Sequence, residues 1–432
     1  MQLIKYPEKK DWEDICKRPA LDHFSLKKSV QAILDEVKEN GDDALKRLTL
    51  KFDKIDMEDV AVTALEIEEA IRLVPDDLKQ AMLHAKQNIE KFHSSQLTGI
   101  EVIETMPGIK CWRKSVAIEK VGLYIPGGTA PLFSTLLMLA VPARIAGCGE
   151  VIVCSPPDKN KKLHPAILYA AHLTGITRIF KTGGAQAIAA MAFGTASIPR
   201  VYKIFGPGNQ YVTAAKQLVQ QSGVAIDMPA GPSEVAIFAD PTANAAFVAA
   251  DLLSQAEHGA DSQVILVCTS EQMIEEVMQQ LTLQLKVLPR SELAARALEN
   301  SKIVLVNSER EAIGLLNNYA AEHLILSCEE PARLAEQVVN AGSVFLGNYS
   351  PESVGDYASG TNHTLPTNGY ARAYSGVSID SFVKKITFQQ LTKQGLKDLG
   401  PTVQLLAAAE GLEAHKNAVT VRLKEIEAAN NF

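Results

Sequence analysis

Gln255 and His258 stand three residues apart in Ser254-Gln-Ala-Glu-His-Gly-Ala-Asp261, at the end of an apolar segment with helical patterning. On a helix running that far they share one face. An amide oxygen and a neutral imidazole nitrogen placed so make half of a metal site, although a lone histidine at a helix end is more often structural. Asp356 and His363, in the Gly/Ser/Asn-rich run 347–376, and His415 near the C-terminus are donors that could supply the other half. Two imidazoles, a carboxylate and an amide oxygen suit Zn2+ or Mn2+, borderline ions that accept both nitrogen and oxygen. The separations along the chain are long, so spacing lends this set no specificity. Glu322-His323 is the second stretch with chemistry in it. Adjacent residues of an extended chain point to opposite sides, but at a bend both can reach one cleft. A carboxylate and an imidazole together are suited to general acid–base work near neutral pH. The same pair could equally close a helix, the histidine facing the dipole.

Three glycine-bearing turns carry a different chemistry: Gly122-Leu-Tyr-Ile-Pro-Gly-Gly-Thr-Ala-Pro131, Thr182-Gly-Gly-Ala-Gln-Ala187 and Phe205-Gly-Pro-Gly-Asn209. Each lies where an expected strand gives way to a helix. Gly127 and Gly128 permit tight backbone, and Thr129 can cap the helix that follows. Helix N-termini flanked by small residues cradle anions. Three such turns at the carboxyl ends of parallel strands line the edge where open α/β sheets take their ligands. The GxGxxG fingerprint is absent, so spacing alone does not specify a dinucleotide. Pro229-Ala-Gly-Pro-Ser-Glu234 reads as a hinge, with Ser233 either a capping residue or a hydrogen-bonding group in the crevice.

The elements that must hold these residues follow from periodicity. Residues 1–22 are polar and irregular, an N-terminal arm. Ser25 is expected to cap a helix with Val30, Ile33, Leu34 and Val37 on one face, ended by Gly41, and residues 64–94 give two more helices. Short β-rich runs occupy 101–105, 109–112 and 115–125. Helices 132–146, 164–174, 185–193 and 209–221 then alternate with strands 150–154, 178–181, 201–205 and 224–227. A second alternating set opens with strand 234–238 and helix 244–258 and continues through strands 263–267, 302–306, 324–326 and 343–346. Such alternation implies parallel sheets covered on both faces. The fold class is α/β, with two Rossmann-like, doubly wound domains. Residues 347–376 read as a long loop, and from about 380 the chain reads as helical, closing in a helix 402–427 that docks on another domain or subunit.

Whole-chain totals remove some function classes. The 432 residues carry 43 Lys and Arg against 50 Asp and Glu, a formal charge of -7 without a basic block. That argues against nucleic acid or an anionic membrane as partner. None of the six cysteines forms a CxxC pair, so they read as reduced thiols. The stretch Leu132 to Val141 is far short of the roughly 20 residues of a spanning helix, and no secretory signal is visible at the N-terminus. The expected location is cytoplasmic, or an organelle whose targeting peptide is missing here.

Taken together, Gly122 to Ala146, Asp227-Met-Pro-Ala-Gly-Pro-Ser-Glu234, Ser254 to Asp261, Ala320 to His323, Gly355 to Pro366 and Glu410 to His415 resemble the histidinol dehydrogenase family, in its order and over essentially the whole chain. The resemblance implies NAD-dependent oxidation of L-histidinol to L-histidine through L-histidinaldehyde, the closing steps of histidine biosynthesis. It implies one Zn2+ per subunit held by Gln255, His258, Asp356 and His415, with Glu322 and His323 as the acid–base pair. Ser233, His363 and Glu410 would contact substrate beside the metal ligands and His323, and Tyr124, Gln186 and Asn209 would contact NAD. It divides the chain into the arm 1–22, a first α/β domain (23–123 and 235–378) with the metal and catalytic residues, an NAD-binding domain (124–234) and a helical tail (379–432). In the family that tail crosses to the partner subunit, which implies a homodimer with shared active sites. Without the resemblance the same residues would permit a metal-dependent hydrolase of a small amide, with Glu322 activating water, or a ligand-binding protein without turnover. Aldehyde oxidation through a thiolate is the other chemical route. Cys111 and Cys148 lie among apolar residues with no histidine beside them, so water is the expected nucleophile.

Overall fold

The computed structural model describes residues 1–18, 23–127, 131–229 and 231–429. Among the described residues fourteen strands are formed: β1 (Gln2–Lys5), β2 (Val102–Met106), β3 (Ile109–Ala117), β4 (Lys120–Tyr124), β5 (Glu150–Ser155), β6 (Arg178–Lys181), β7 (Lys203–Phe205), β8 (Ala225–Ile226), β9 (Glu234–Ala239), β10 (Gln263–Cys268), β11 (Lys302–Leu305), β12 (His323–Ser327), β13 (Ser343–Leu346) and β14 (Val383–Leu391). Two compact units divide the chain, residues 1–96 with 118–382, and residues 97–117 with 383–432.

The first unit contains two parallel sheets. The five-stranded sheet runs β6-β5-β4-β7-β8 and the six-stranded sheet β1-β11-β10-β9-β12-β13. Both are wound alike. The chain enters in the middle, at β4 or β9, steps twice to one side, then crosses over to fill the other, which is the Rossmann plan. Helices cover both faces of each. On the five-stranded sheet Val121, Leu123 and Phe205 look into one core while Ile152, Cys154 and Ile204 look into the other. On the six-stranded sheet Val235 and Ile237 oppose Ala236 and Phe238 in the same way. Burial of both faces is why these strands read as unbroken apolar runs rather than as alternations.

Three expectations about this unit need correction. The arm is not irregular. β1 pairs in parallel with β11, Gln2 opposite Lys302, and a short helix Trp12–Ile15 puts Ile15 in the core. A four-residue edge strand flanked by Gln2 and Lys5 carries too little alternation to be read. Helices His23–Asp53, Ala64–Leu73 and Asp76–Ser94 pack over the five-stranded sheet, not over the six-stranded one. Val30, Leu34 and Val37 complete one of its cores and Met82 and Ile89 the other. Ser25 stands inside the first of these helices, which begins at His23. The run 347–376 is not structureless, since it folds a short helix Glu352–Tyr357.

The second unit is a three-stranded antiparallel sheet, β14-β3-β2, with helices Lys393–Ala409 and Glu413–Ala429. The tail expected to be all helix therefore begins with a nine-residue strand in register with β3. Val383, Ile386 and Thr387 favour that conformation, but most of the strand is exposed, which weakens its apolar signal. The terminal helix is two helices, separated at Gly411, whose φ of +72° suits glycine.

Candidate active site

The glycine turns meet at the carboxyl edge of the five-stranded sheet. Tyr124 ends β4, Gly184 opens the helix Gly184–Phe193 and Asn209 caps the helix Gln210–Val219. The Tyr124 hydroxyl accepts a hydrogen bond from the Gly184 N–H at 3.1 Å. Asn209 Oδ1 accepts from the N–H groups of Tyr211 and Val212 at 3.0 and 3.1 Å. Gly206 has a φ of +123° and lies so close to the Tyr124 carbonyl that a Cβ would collide with it. Asp227 accepts the Gly206 N–H at 2.8 Å, and buried Lys216 donates to the Gly206 carbonyl at 2.8 Å. Tyr124, Gln186 and Asn209 all face a cleft of about 1080 Å³. The buried hydroxyls of Ser155 and Thr182, where β5 ends and just past β6, have no hydrogen-bond partner among the described residues. Gly128 and Thr129 lie outside the described residues. The adjoining helix Phe133–Ala146 has Leu132 at its N-cap position, without a side-chain cap.

The six-stranded sheet collects its polar side chains at the opposite, amino edge. The chain leaves the helix Glu309–Tyr319 through Ala320, a non-glycine residue in the left-handed region with φ 54°, and turns through Glu322 into β12. That bend brings both residues of the pair to one side. Glu322 Oε2 accepts the Glu234 N–H at 2.9 Å. His323 Nδ1 bonds the Glu234 carbonyl at 3.2 Å and Nε2 the Asp356 carboxylate at 3.1 Å. Glu322 and His323 approach to 3.7 Å. Both ring nitrogens of His323 face acceptors, an arrangement suited to an imidazolium. Burial opposes charge on that ring, but the carboxylates of Glu322 and Asp356 outweigh it and push its pKa up. Burial likewise pushes the Glu322 carboxyl up. The Asp356 carboxyl is held down, because the hydrogen bond and charge of His323 outweigh its burial.

The helix carrying Gln255 stops at Ala256. His258 is thus in the turn beyond it rather than on the helix face, and its N–H donates to the Gln255 carbonyl at 3.3 Å. Gln255 is buried; with its amide nitrogen toward Glu352 it donates to that carboxylate at 2.9 and 3.2 Å. His363 is held by the Asp356 carbonyl at 2.8 Å and the Thr135 hydroxyl at 3.0 Å. Ser233 adjoins Glu234 on a cleft of about 580 Å³ that also meets His258, Glu322, His363 and Asn209. Asn209 borders both clefts, so the two adjoin at that residue. The structure brings Gln255, His258, Ser233, Glu322, His323, Asp356 and His363 together. Glu410 and His415 are exposed residues of the second unit, next to the break between its helices.

Glu352 and Thr135 were missed in the sequence. Glu352 and Asp356 are four residues apart on a short helix, a spacing that puts two carboxylates on one face and could have been noticed. Nothing near Thr135 in the sequence points to His363, 228 residues away.

Among the described residues, no group of three or more His, Cys, Asp or Glu is assembled as a metal cluster. The donors nevertheless suit a divalent cation. Glu322, Glu352 and Asp356 crowd around the single ring of His323, and burial drives the Glu322 and Glu352 carboxyls upward. A divalent ion would relieve that excess of negative charge. The helix Ala245–Ala256 also turns its negative C-terminal end toward this edge. Imidazole, carboxylate and amide oxygen are acceptable zinc donors.

A family model for histidinol dehydrogenase matches residues 16–423. The chain belongs to the histidinol dehydrogenase family. A histidinol dehydrogenase of Bacteroides thetaiotaomicron is 61% identical over 427 residues, 99% of this chain and 100% of that one. One from Yersinia pestis is 51% identical, covering 96% and 93% of the two chains. The crystal structure of histidinol dehydrogenase from Elizabethkingia anophelis has a TM-score of 0.97 at 54% identity and covers 99% of each chain. As a histidinol dehydrogenase the protein is an oxidoreductase, not the amide hydrolase that the same residue types allowed. No helix among the described residues is long and apolar enough to cross a membrane.

Proposed function

We propose that this enzyme oxidises L-histidinol to L-histidine through L-histidinaldehyde, passing two hydrides in turn to two molecules of NAD. The observation that carries this is that the two clefts adjoin at Asn209. Glu322 of the acid–base pair lines one cleft, and the turn-built cleft lies on the other side of Asn209. NAD would lie along the carboxyl edge of the five-stranded sheet against Tyr124, Gln186 and Asn209, its phosphates at helix N-termini. Gln255, His258 and Asp356, with the partner subunit's His415, would hold zinc. When bound, the ion supplies a fixed positive charge that anchors the substrate imidazole and amine without taking part in redox chemistry. Ser233 and His363, with the partner subunit's Glu410, would orient the rest of the amino alcohol, and orientation itself lowers the barrier. His323, acting from its neutral form, would take the hydroxyl proton as hydride leaves the substrate carbon. Glu322 then takes a proton from water as that water adds to the aldehyde carbon, and the hydrate gives up the second hydride. Cys148 does not compete as nucleophile, since burial pushes its thiol up to about 11.

The test is NADH formation on mixing protein, NAD and histidinol, with two NADH expected per histidine. Chelation should abolish it and zinc restore it. Amide hydrolysis without NADH, or NAD-linked turnover that survives complete demetallation, would defeat the reading. Activity in mixtures of two inactive variants, one altered at Glu322 and one at His415, would support shared sites in a homodimer.

A further inference from the structure

Glu234 joins the two catalytic candidates through its backbone. Its N–H is given to Glu322 Oε2 and its C=O to His323 Nδ1. On the β12 side the strand ladder does not hold residue 234, because the register begins with Val235 opposite His323. On the other side residue 234 stands in the ladder opposite Gln263 of β10, and toward β12 its side chain supplies the hold. The Glu234 carboxylate is 1% exposed and is gripped by a guanidinium from the N-terminal segment. Arg18 Nε donates to Oε1 at 2.9 Å and Nη2 to Oε2 at 2.9 Å. Arg18 is itself locked: Nη1 donates to the Cys16 carbonyl at 3.1 Å and Nη2 to the Tyr319 carbonyl at 2.7 Å, and the guanidinium lies 3.7 Å over the Tyr319 ring. The Asn368 N–H adds a bond to Glu234 Oε1 at 2.8 Å.

A two-point fork fixes direction as well as distance, which an ammonium cannot do. A buried carboxylate deprived of its cation is driven to take up a proton or to turn outward, and Glu234 borders the cleft. The backbone at 234 would turn with it, releasing both side chains it holds. We propose that Arg18 is a positioning residue for the reaction, acting through Glu234 to set Glu322 and His323. This inference rests on the reading of those two residues as the acid–base pair.

The experiment uses the full-length enzyme with zinc, NAD and histidinol, comparing Arg18→Gln, Arg18→Lys, Glu322→Gln and the Arg18→Gln/Glu322→Gln double variant. A misplacement of this kind lowers kcat by about 100-fold for Arg18→Gln and about tenfold for Arg18→Lys. KM for NAD should change by less than about twofold, and the double variant should lose less than the product of the two single losses, since Arg18 acts in part through Glu322. Arg18→Lys keeps the charge and serves if Arg18→Gln does not fold. Unchanged kcat in a folded Arg18 variant overturns the proposal, as does a multiplicative loss in the double variant. Glu322→Gln at the wild-type rate overturns the catalytic reading itself, a result distinct from a slow Glu322→Gln beside a normal Arg18 variant.

Discussion

The five-stranded sheet gathers its candidate ligand groups at the carboxyl edge, while the six-stranded sheet, wound in the same order, gathers them at the amino edge. The difference lies in what each edge offers. In a parallel αβ layer, helix N-termini collect at the carboxyl edge and helix C-termini at the amino edge, so the first carries partial positive charge and the second partial negative charge. The five-stranded sheet presents glycine turns such as Gly206, where backbone itself would be the recognition surface under the proposed reading. The six-stranded sheet places a buried cluster of Glu322, His323, Glu352 and Asp356 at the end where a cation would be welcome. One winding rule, used at its two ends, would under the proposed reading provide for an anionic cofactor and for a metal with acid–base chemistry.

The sharpest way to break this comparison is to disable each edge and ask whether the other notices. His323→Asn should lower kcat by about 10³-fold while leaving NAD binding, followed by fluorescence quenching, unchanged. A large loss of NAD affinity would mean that the two edges are not separate. Gly206→Ala should act on the other side. Forcing an L-residue into φ +123° against the Tyr124 carbonyl costs about 1–3 kcal/mol, and should appear as roughly a tenfold or greater rise in KM for NAD with little change in metal content. Asn209→Ala removes a helix cap made by two hydrogen bonds. It should lower stability by about 1 kcal/mol in thermal melts and raise KM for NAD modestly. Cys148→Ser belongs to neither edge and should keep kcat within about twofold; an inactive but folded protein would revive a thiol route for the aldehyde.

The two edges were not equally legible in the sequence. The carboxyl edge was, because backbone recognition leaves a local mark: a strand, then glycine, then a helix, three times over. The same locality made the paired, doubly wound architecture readable. The amino edge is assembled from residues far apart, and nothing local ties Glu322 to Glu234 or His363 to Thr135. There the resemblance supplied what spacing did not. The helix–turn boundary at Ala256 and the strand β14 were misread for different reasons. Terminal turns fray by a residue or two, and an exposed strand lacks the apolar alternation that announces one.

The pairing of Gln2 with Lys302 has a consequence for how the protein is made. At about 5–20 residues per second, β1 leaves the ribosome on the order of 15–60 s before the strand it must join. Over that interval the whole five-stranded sheet and its covering helices emerge and can close. β1 and Arg18 are left waiting until the six-stranded sheet exists to receive them. The same N-terminal segment that grips Glu234 is therefore among the last to settle, so the acid–base pair is set only after nearly all of the first unit has been synthesised.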